Sequence, residues 1–112
     1  NGEMERDFTY IDDIVNGVIK IIETNIDSRE HYKIYNIGNN KTKSLYDFIT
    51  TIEQLIGKEA IKEMHPMQQG DVTRTFANID KLIDDFGYKP STSLNKGLKE
   101  FIKWYKKYVN ED

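Results

Sequence analysis

The residues best suited to chemistry lie close to the start of the chain. Positions 6–13 read Arg-Asp-Phe-Thr-Tyr-Ile-Asp-Asp, so that one arginine and three acids stand beside two aromatic rings. An arginine among such neighbours can present its planar fork to a phosphate or a carboxylate. The alternative is a structural ion pair of Arg6 with Asp7 or Asp12, and spacing alone favours that alternative.

A second polar cluster falls within positions 68–74, in a stretch that has the composition of a loop. Its members are Gln68, Gln69, Asp71 and Arg74. Ligand contacts tend to lie on loops, although an ordinary polar loop explains the same residues. The two histidines, His31 and His65, are too far apart in sequence to suggest a pair of metal ligands, so no metal site is predicted.

Four amphipathic helices are predicted to position these residues. Apolar side chains recur at spacings of three and four in four stretches, which are 14–24, 45–56, 79–86 and 94–109. The expected N-cap residues are Asp12, Ser44, Asn78 and Ser93. Gly57 and Gly87 are expected to end the second and third helices, because glycine accepts the left-handed backbone just beyond a helix.

Short strands are predicted between the helices. The segment Tyr32–Ile37 alternates in the manner of a strand and ends in Gly-Asn-Asn, which has turn chemistry. Ala60–Met64 is a weaker strand candidate, and Thr73–Ala77 is expected to be briefly extended. Alternating strands and helices over one unit favour an α/β fold with about four helices and two or three short strands.

Composition excludes several classes of function. The 112 residues include 16 basic and 19 acidic side chains, and this net charge of −3 gives no field that favours nucleic acid or an anionic membrane. No cysteine is present, which excludes disulfides and thiolate metal sites and is compatible with a reducing cytoplasm. No apolar run is long enough to span a membrane.

The last predicted helix carries a lysine-rich face interleaved with aromatic rings. The residues are Lys96, Lys99, Lys103, Lys106 and Lys107, with Trp104, Tyr105 and Tyr108. Such a stripe can bind nucleic acid or a membrane surface. The favoured interpretation is a solvated face on which lysine stems cover the rings.

Four motifs in order resemble one family. They are RDFTYIDDIV at 6–15, YNIG at 35–38, PMQQGDV at 66–72 and FGYKPST at 86–92, followed by Leu94 and Gly97. Together they resemble the C-terminal third of NAD-dependent nucleotide-sugar epimerases of the extended short-chain dehydrogenase/reductase family. The resemblance covers essentially the whole chain and is strongest to the bacterial UDP-glucuronate 4-epimerases.

The resemblance implies a partner domain and a cofactor. In that family an N-terminal Rossmann domain binds NAD through a glycine-rich turn and carries a Tyr-x-x-x-Lys pair. Neither motif is present in this sequence, whose seven glycines are ten or more positions apart. We therefore expect residues 1–112 to be a single C-terminal substrate-binding fragment that lacks the Rossmann domain, binds no cofactor itself and is inactive alone. The parent enzyme is expected to be a cytoplasmic homodimer.

The resemblance also implies roles for individual residues. Arg6 corresponds to the arginine that contacts the UDP phosphates, and Asp71 to a carboxylate at the ribose. Gln68 stands where many galactose-type relatives have a phosphate-binding arginine, a charge that Arg74 is the candidate to replace. Thr75 lies near the position that influences pocket size, where a small residue leaves room for a bulky or charged sugar.

The remaining acids of the first motif are expected to be scaffold that bonds local backbone and starts the first helix. That helix and the Tyr32–Ile37 strand are expected to pack on the Rossmann domain, so that the isolated piece exposes an apolar patch and a strand edge and tends to oligomerise. The implied reaction is 4-epimerisation by transient oxidation at sugar C4. A dehydratase or decarboxylase of the same family, or a non-catalytic ligand- or protein-binding domain, is the alternative.

Overall fold

The computed structural model describes residues 3–24 and 33–109, and these form four helices and two short strands. In chain order the elements are β1 (Glu5–Arg6), α1 (Ile11–Glu23), β2 (Lys43–Ser44), α2 (Leu45–Ile56), α3 (Asp80–Phe86) and α4 (Leu94–Tyr108). The predicted α/β class, with about four helices and two or three short strands, is confirmed.

The strands form a small antiparallel pair in which Glu5 lies opposite Ser44 and Arg6 opposite Lys43. Arg74 adds an isolated parallel bridge to Glu5, which confirms a brief extension of the 73–77 segment. Three distant parts of the chain therefore meet at β1.

Two predicted helix starts are confirmed and two are corrected. The Ser44 and Ser93 hydroxyls accept from backbone N–H groups three residues on, at 3.0 and 3.2 Å. Helix α1 begins at Ile11, so its cap residue is Tyr10 and the prediction of Asp12 was wrong. The cap position of α3 is Ile79 rather than the predicted Asn78, although the Asn78 side-chain oxygen accepts from the Asp80 N–H at 3.1 Å.

The helix ends follow the glycines. Gly57 and Gly87 take left-handed backbone at φ 78° and 67°, and each closes its helix by donating to the carbonyl four residues back. Both predicted ends are confirmed.

Two predicted strands are absent from the described residues. Positions 33–37 and 60–64 have no strand assignment, and Tyr32 lies outside the described residues. The Ala60 N–H donates to the Glu53 side chain at 2.8 Å, which ties that segment to α2. Alternation predicted strands, but a strand also needs a neighbouring edge, and residues 3–24 and 33–109 offer none at these positions.

The core is small and lies around α3. Ile79, Leu82 and Tyr88 are almost fully buried, and Tyr88 donates its hydroxyl to the Gly38 carbonyl at 2.9 Å. Partly buried side chains pack around them, namely Ile21, Tyr35, Ile37, Ala77 and Phe86. This core holds α1, α3 and the 35–38 segment together.

Helix α1 leaves most of its apolar residues exposed. Ile22 is 76% exposed and Ile11 62%, and the residues Val15, Val18 and Ile19 are also exposed. The predicted apolar patch is confirmed, whereas the predicted free strand edge at positions 33–37 does not form. Among the described helices, none has the length and apolar character needed to cross a membrane.

Candidate functional site

The candidate site is built by β1 lying against the 71–75 segment. The Glu5 N–H donates to the Thr73 carbonyl at 2.9 Å, and the Thr75 N–H donates to the Glu5 carbonyl at 3.2 Å. These two bonds fix the backbone of Arg6 beside a loop whose sequence position is about 65 residues away.

Arg6 is the centre of this arrangement. Its Nη2 donates to Asp71 Oδ1 at 3.0 Å and to the Val72 carbonyl at 2.7 Å, while Nη1 donates to the Glu5 carbonyl at 2.7 Å. The ion pairs with Asp7 or Asp12 that spacing favoured are not formed. The acid that Arg6 meets comes from the second polar cluster, which no local pattern could reveal.

Arg74 lies beside β1, where it forms a second ion pair, with Glu5. Its Nε is 3.2 Å from Glu5 Oε2, its Nη2 donates to Thr42 Oγ1 at 3.4 Å, and its guanidinium lies 5.7 Å from the Phe76 ring centre. Glu5–Arg74 and Arg6–Asp71 are therefore two ion pairs at one edge. Each arginine is balanced by an acid, so the site carries little net charge.

Gln68 and Thr75 are brought to the same region but make few contacts. The Gln68 carbonyl accepts from the Asp71 N–H at 3.1 Å, which closes a turn around Gly70 at φ 88°. Thr75 contributes its backbone to the bridge, and both residues are exposed. Their predicted roles toward a ligand stay predictions.

Asp7 supports the site through hydrogen bonds to two distant backbone segments, which sequence reasoning missed. Its carboxylate accepts from the backbone N–H groups of Asn39, Asn40 and Ala77 at 3.0, 2.9 and 3.2 Å, and from the Thr9 hydroxyl at 3.0 Å. The expectation that it bonds local backbone was too narrow. Because Ala77 follows the 71–75 segment, Asp7 fixes the position of that segment relative to β1.

Asp13 is a second scaffold acid, and it is only 3% exposed. It accepts from the Ser91 and Thr92 N–H groups at 3.3 and 3.0 Å, which joins the first turn of α1 to the segment that leads into α4. A buried carboxylate is tolerated here because backbone donors surround it. No sequence signal separates it from its exposed neighbour Asp12.

Two concavities lie elsewhere on the described surface. A mainly apolar groove of about 730 Å³ runs between the 8–11 segment, α2 and α4. A polar crevice of about 580 Å³ is lined by Lys41, Lys43 and the start of α4. Neither includes Arg6, Asp71 or Arg74 in its lining, and these three side chains are 28%, 38% and 60% exposed at the surface.

The aromatic rings of α4 lie on an exposed face, and most of the lysines beside them are also exposed, in agreement with the predicted solvated face. Trp104 and Tyr108 are more than half exposed and stack on each other with their centres 5.3 Å apart. The cover of these rings by lysine stems stays a prediction.

The described residues contain no cluster of three or more potential metal ligands. His65 lies 3.5 Å from Glu63 and is well exposed, and His31 lies outside the described residues.

The glycines in the described part of this chain do not form a dinucleotide cradle. A phosphate-binding turn needs closely spaced glycines that open a helix after a strand. Gly57 and Gly87 end helices, and a Cβ on Gly17 or Gly38 would meet a side-chain atom at 2.3 or 2.8 Å. The glycine-rich turn by which the family is expected to bind NAD is therefore absent from the described part of this chain.

Comparison with known proteins gives the family. The model of the GDP-mannose 4,6 dehydratase family matches residues 1–101. The chain therefore belongs to this family, and the predicted resemblance to nucleotide-sugar epimerases that work with NAD is confirmed.

The similar proteins include epimerases and a dehydratase. A probable UDP-glucuronate 4-epimerase of Rhizobium meliloti is 36% identical over 119 residues, which cover 93% of this chain and 35% of that protein. The UDP-glucuronic acid 4-epimerase of Bacillus cereus, solved with UDP-glucuronic acid and NAD, has a TM-score of 0.80 and 33% identity, over 94% of this chain and 34% of its own. A dTDP-glucose 4,6-dehydratase of Bacillus anthracis, solved with NAD, has a TM-score of 0.77 and 25% identity, over 98% of this chain and 34% of its own. This chain spans about a third of the length of each of them.

Proposed function

We propose that this chain is the UDP-sugar-binding portion of a nucleotide-sugar 4-epimerase. The observation that carries the proposal is the meeting of Arg6 with Asp71, two residues that the resemblance places at the nucleotide diphosphate. Thr75 and Arg74 lie on the same segment, and Gln68 closes its turn. Five candidate residues from two distant parts of the chain thus share one edge of the molecule.

The chemistry of this edge suits a nucleotide diphosphate. A guanidinium offers paired N–H donors to phosphate oxygens, and a carboxylate accepts from the hydroxyls of a ribose. Both side chains are partly exposed, at 28% for Arg6 and 38% for Asp71, and so can reach a ligand from solvent. Because the site has little net charge and is open, we expect this chain alone to bind UDP weakly.

We further propose that the whole enzyme includes an NAD-binding Rossmann domain encoded upstream. The chain spans about a third of its relatives and contains neither the glycine turn nor a Tyr-x-x-x-Lys pair. The exposed apolar side of α1 is the surface on which we expect that domain to pack, since contiguous apolar patches mark interaction sites. Redox chemistry at sugar C4 then belongs to the other domain, and this chain alone binds without turnover.

Calorimetry with UDP tests the binding role of Arg6. A hydrogen bond to a charged group contributes about 1.5–3 kcal/mol, and each 1.4 kcal/mol is about tenfold in affinity. Arg6→Ala should therefore weaken UDP binding by about 10- to 100-fold. Lys99→Ala, which removes the same charge from α4, is the matched control and should leave the affinity within about twofold. Equal affinities in the two variants would give Arg6 a structural role only.

A dehydratase or decarboxylase of the same family is the second candidate. The dehydratase candidate is supported by the similarity to a 4,6-dehydratase and by the match to the GDP-mannose 4,6 dehydratase family. Assay of this chain together with its upstream domain decides between them. Conversion of UDP-glucuronate to UDP-galacturonate supports the epimerase, whereas turnover of another nucleotide sugar contradicts it.

A non-catalytic binding domain is the third candidate. It requires a reading frame that begins near Asn1. A glycine-rich strand-turn-helix and a Tyr-x-x-x-Lys pair in frame upstream would exclude it.

A further inference from the structure

The Arg6 guanidinium is already occupied by acceptors from its own chain. Nη2 donates to Asp71 Oδ1 at 3.0 Å and to the Val72 carbonyl at 2.7 Å, and Met4 Sδ lies 3.6 Å from the same nitrogen. Nη1 donates to the Glu5 carbonyl at 2.7 Å. Both hydrogens of Nη2 are therefore in use.

This occupancy matters because of the shape of the arginine fork. A guanidinium can hold an oxyanion through two parallel N–H bonds along either of two edges, Nη1 with Nη2 or Nε with Nη2. Both edges include Nη2. As long as Asp71 and Val72 hold that nitrogen, Arg6 cannot give a phosphate a bidentate contact.

Asp71 is the acceptor that can leave. The Val72 carbonyl belongs to the backbone segment that is bonded to β1 through Thr73 and Thr75, so its position is fixed. The Asp71 carboxylate is on an exposed turn, where its Oδ1 also accepts from the Val72 N–H at 3.0 Å, and its pair with Arg6 is partly exposed on both sides. Releasing it frees one N–H of Nη2, which can then join a second N–H of the same guanidinium in holding a phosphate.

We propose that Asp71 is an internal competitor for Arg6, and that a phosphate binds by taking the place of its carboxylate. This inference rests on the function proposed above and adds a regulation of the same site. Asp71 then has two opposed effects: it lowers the affinity of Arg6 for any oxyanion, and it offers an acceptor to a ribose hydroxyl once it has moved.

The two effects are separable with two ligands. Inorganic pyrophosphate has the oxyanions but no ribose, so it reports competition alone. UDP reports both. Asp71→Asn keeps the Oδ1 that accepts from the Val72 N–H at 3.0 Å, which preserves the turn, and removes the charge that competes for Arg6.

Calorimetry with pyrophosphate tests the proposal on the whole 112-residue chain. Asp71→Asn should bind pyrophosphate about fivefold more tightly than Asp84→Asn, an exposed site on α3 where the same charge is removed away from Arg6. The gain for UDP should be smaller, because the amide is a poorer acceptor for a ribose hydroxyl. Equal affinities of the two variants for pyrophosphate would overturn the inference.

Arg6→Ala separates the two proposals. If it loses pyrophosphate affinity while Asp71→Asn gains none, the binding role of Arg6 stands and the competition is refuted. If Arg6→Ala and Asp71→Asn both leave the affinity unchanged, or if no variant binds, both proposals fail.

A measurement without ligand provides an independent check. Rotation about the Cζ–Nη bonds of Arg6, followed by nitrogen NMR, should be faster in Asp71→Asn than in Asp84→Asn, because one acceptor of Nη2 has lost its charge. Unchanged rotation would also refute the competition.

Discussion

Replacing Asp13 tests how one buried acid holds α1 to the segment that precedes α4. Its carboxylate is 3% exposed and accepts from the Ser91 and Thr92 N–H groups at 3.3 and 3.0 Å. In Asp13→Ala both donors lose their acceptor, and the Thr92 N–H is in a partly buried position. The neighbouring Asp12 is exposed on the same helical turn, which makes it a close control.

The expected loss follows from these two bonds. A hydrogen bond to a charged group contributes about 1.5–3 kcal/mol, and the longer bond to exposed Ser91 should lie at or below the low end. We expect Asp13→Ala to lower the free energy of unfolding by about 3 kcal/mol. Asp13→Asn retains one acceptor oxygen and should lose about half as much. Asp12→Ala should lose only the favourable interaction with the helix dipole, about 0.5 kcal/mol.

Urea unfolding followed by far-ultraviolet circular dichroism measures these differences. A loss of about 3 kcal/mol is a large part of the 5–15 kcal/mol typical of a domain, so the midpoint should move clearly at an unchanged m-value. If Asp13→Ala and Asp12→Ala lose the same free energy, the two backbone bonds do not hold the helix and the reasoning from burial is refuted.

Three further predictions concern the core and its pH dependence. Tyr88→Phe should lower the free energy of unfolding by about 1 kcal/mol, because the bond to the Gly38 carbonyl is lost while the buried ring remains. In the unmodified protein, burial raises the pKa of Tyr88 above its ordinary 10.0. The free energy of unfolding should therefore fall as the pH rises above 10.0, because the unfolded chain releases the proton first. Gly38→Ala should lose about 1–3 kcal/mol in the same urea experiment, since its Cβ would lie 2.8 Å from that of Ala77. The hydrogen bond from the Tyr35 hydroxyl holds the pKa of Asp85 below its ordinary 3.8. The free energy of unfolding should therefore fall as the pH drops below 3.8. Tyr35→Phe should raise the pKa of Asp85, which a carboxyl NMR titration measures. An unmoved Asp85 titration, or Gly38→Ala as stable as the parent, would contradict the respective contact.

Local signals in the sequence were sufficient for most of the helical frame. Ser44 and Ser93 accept from N–H groups three residues on, and Gly57 and Gly87 sit one residue past the last helical turn, so each signal acts within its own turn. The start of α1 was misjudged because the Tyr10 carbonyl already accepts from Asp13 and Ile14. An acid near a helix start is therefore ambiguous until its side-chain partner is known.

The strands show the limit of local patterns. The 32–37 segment alternates like a strand and 60–64 is a weaker candidate, but pairing depends on an edge that another part of the chain must provide. The two-residue strands that do form, Glu5–Arg6 and Lys43–Ser44, have no period to detect. Their pairing is a consequence of the packing around them.

The candidate site also has features that the sequence predicts and features that depend on the fold. The helix frame, the family resemblance and the residues worth testing follow from the amino-acid sequence, because caps, periodicity and motifs act over a few positions. The folded chain alone reveals that Arg6 pairs with Asp71 and that Asp13 is buried while Asp12 is not. The bonds of Asp7 to the N–H groups of Asn39, Asn40 and Ala77 likewise depend on the fold. The physical reason is that a charged side chain pairs with whatever donor or acceptor the folded backbone brings within about 3 Å, and sequence distance does not encode that approach.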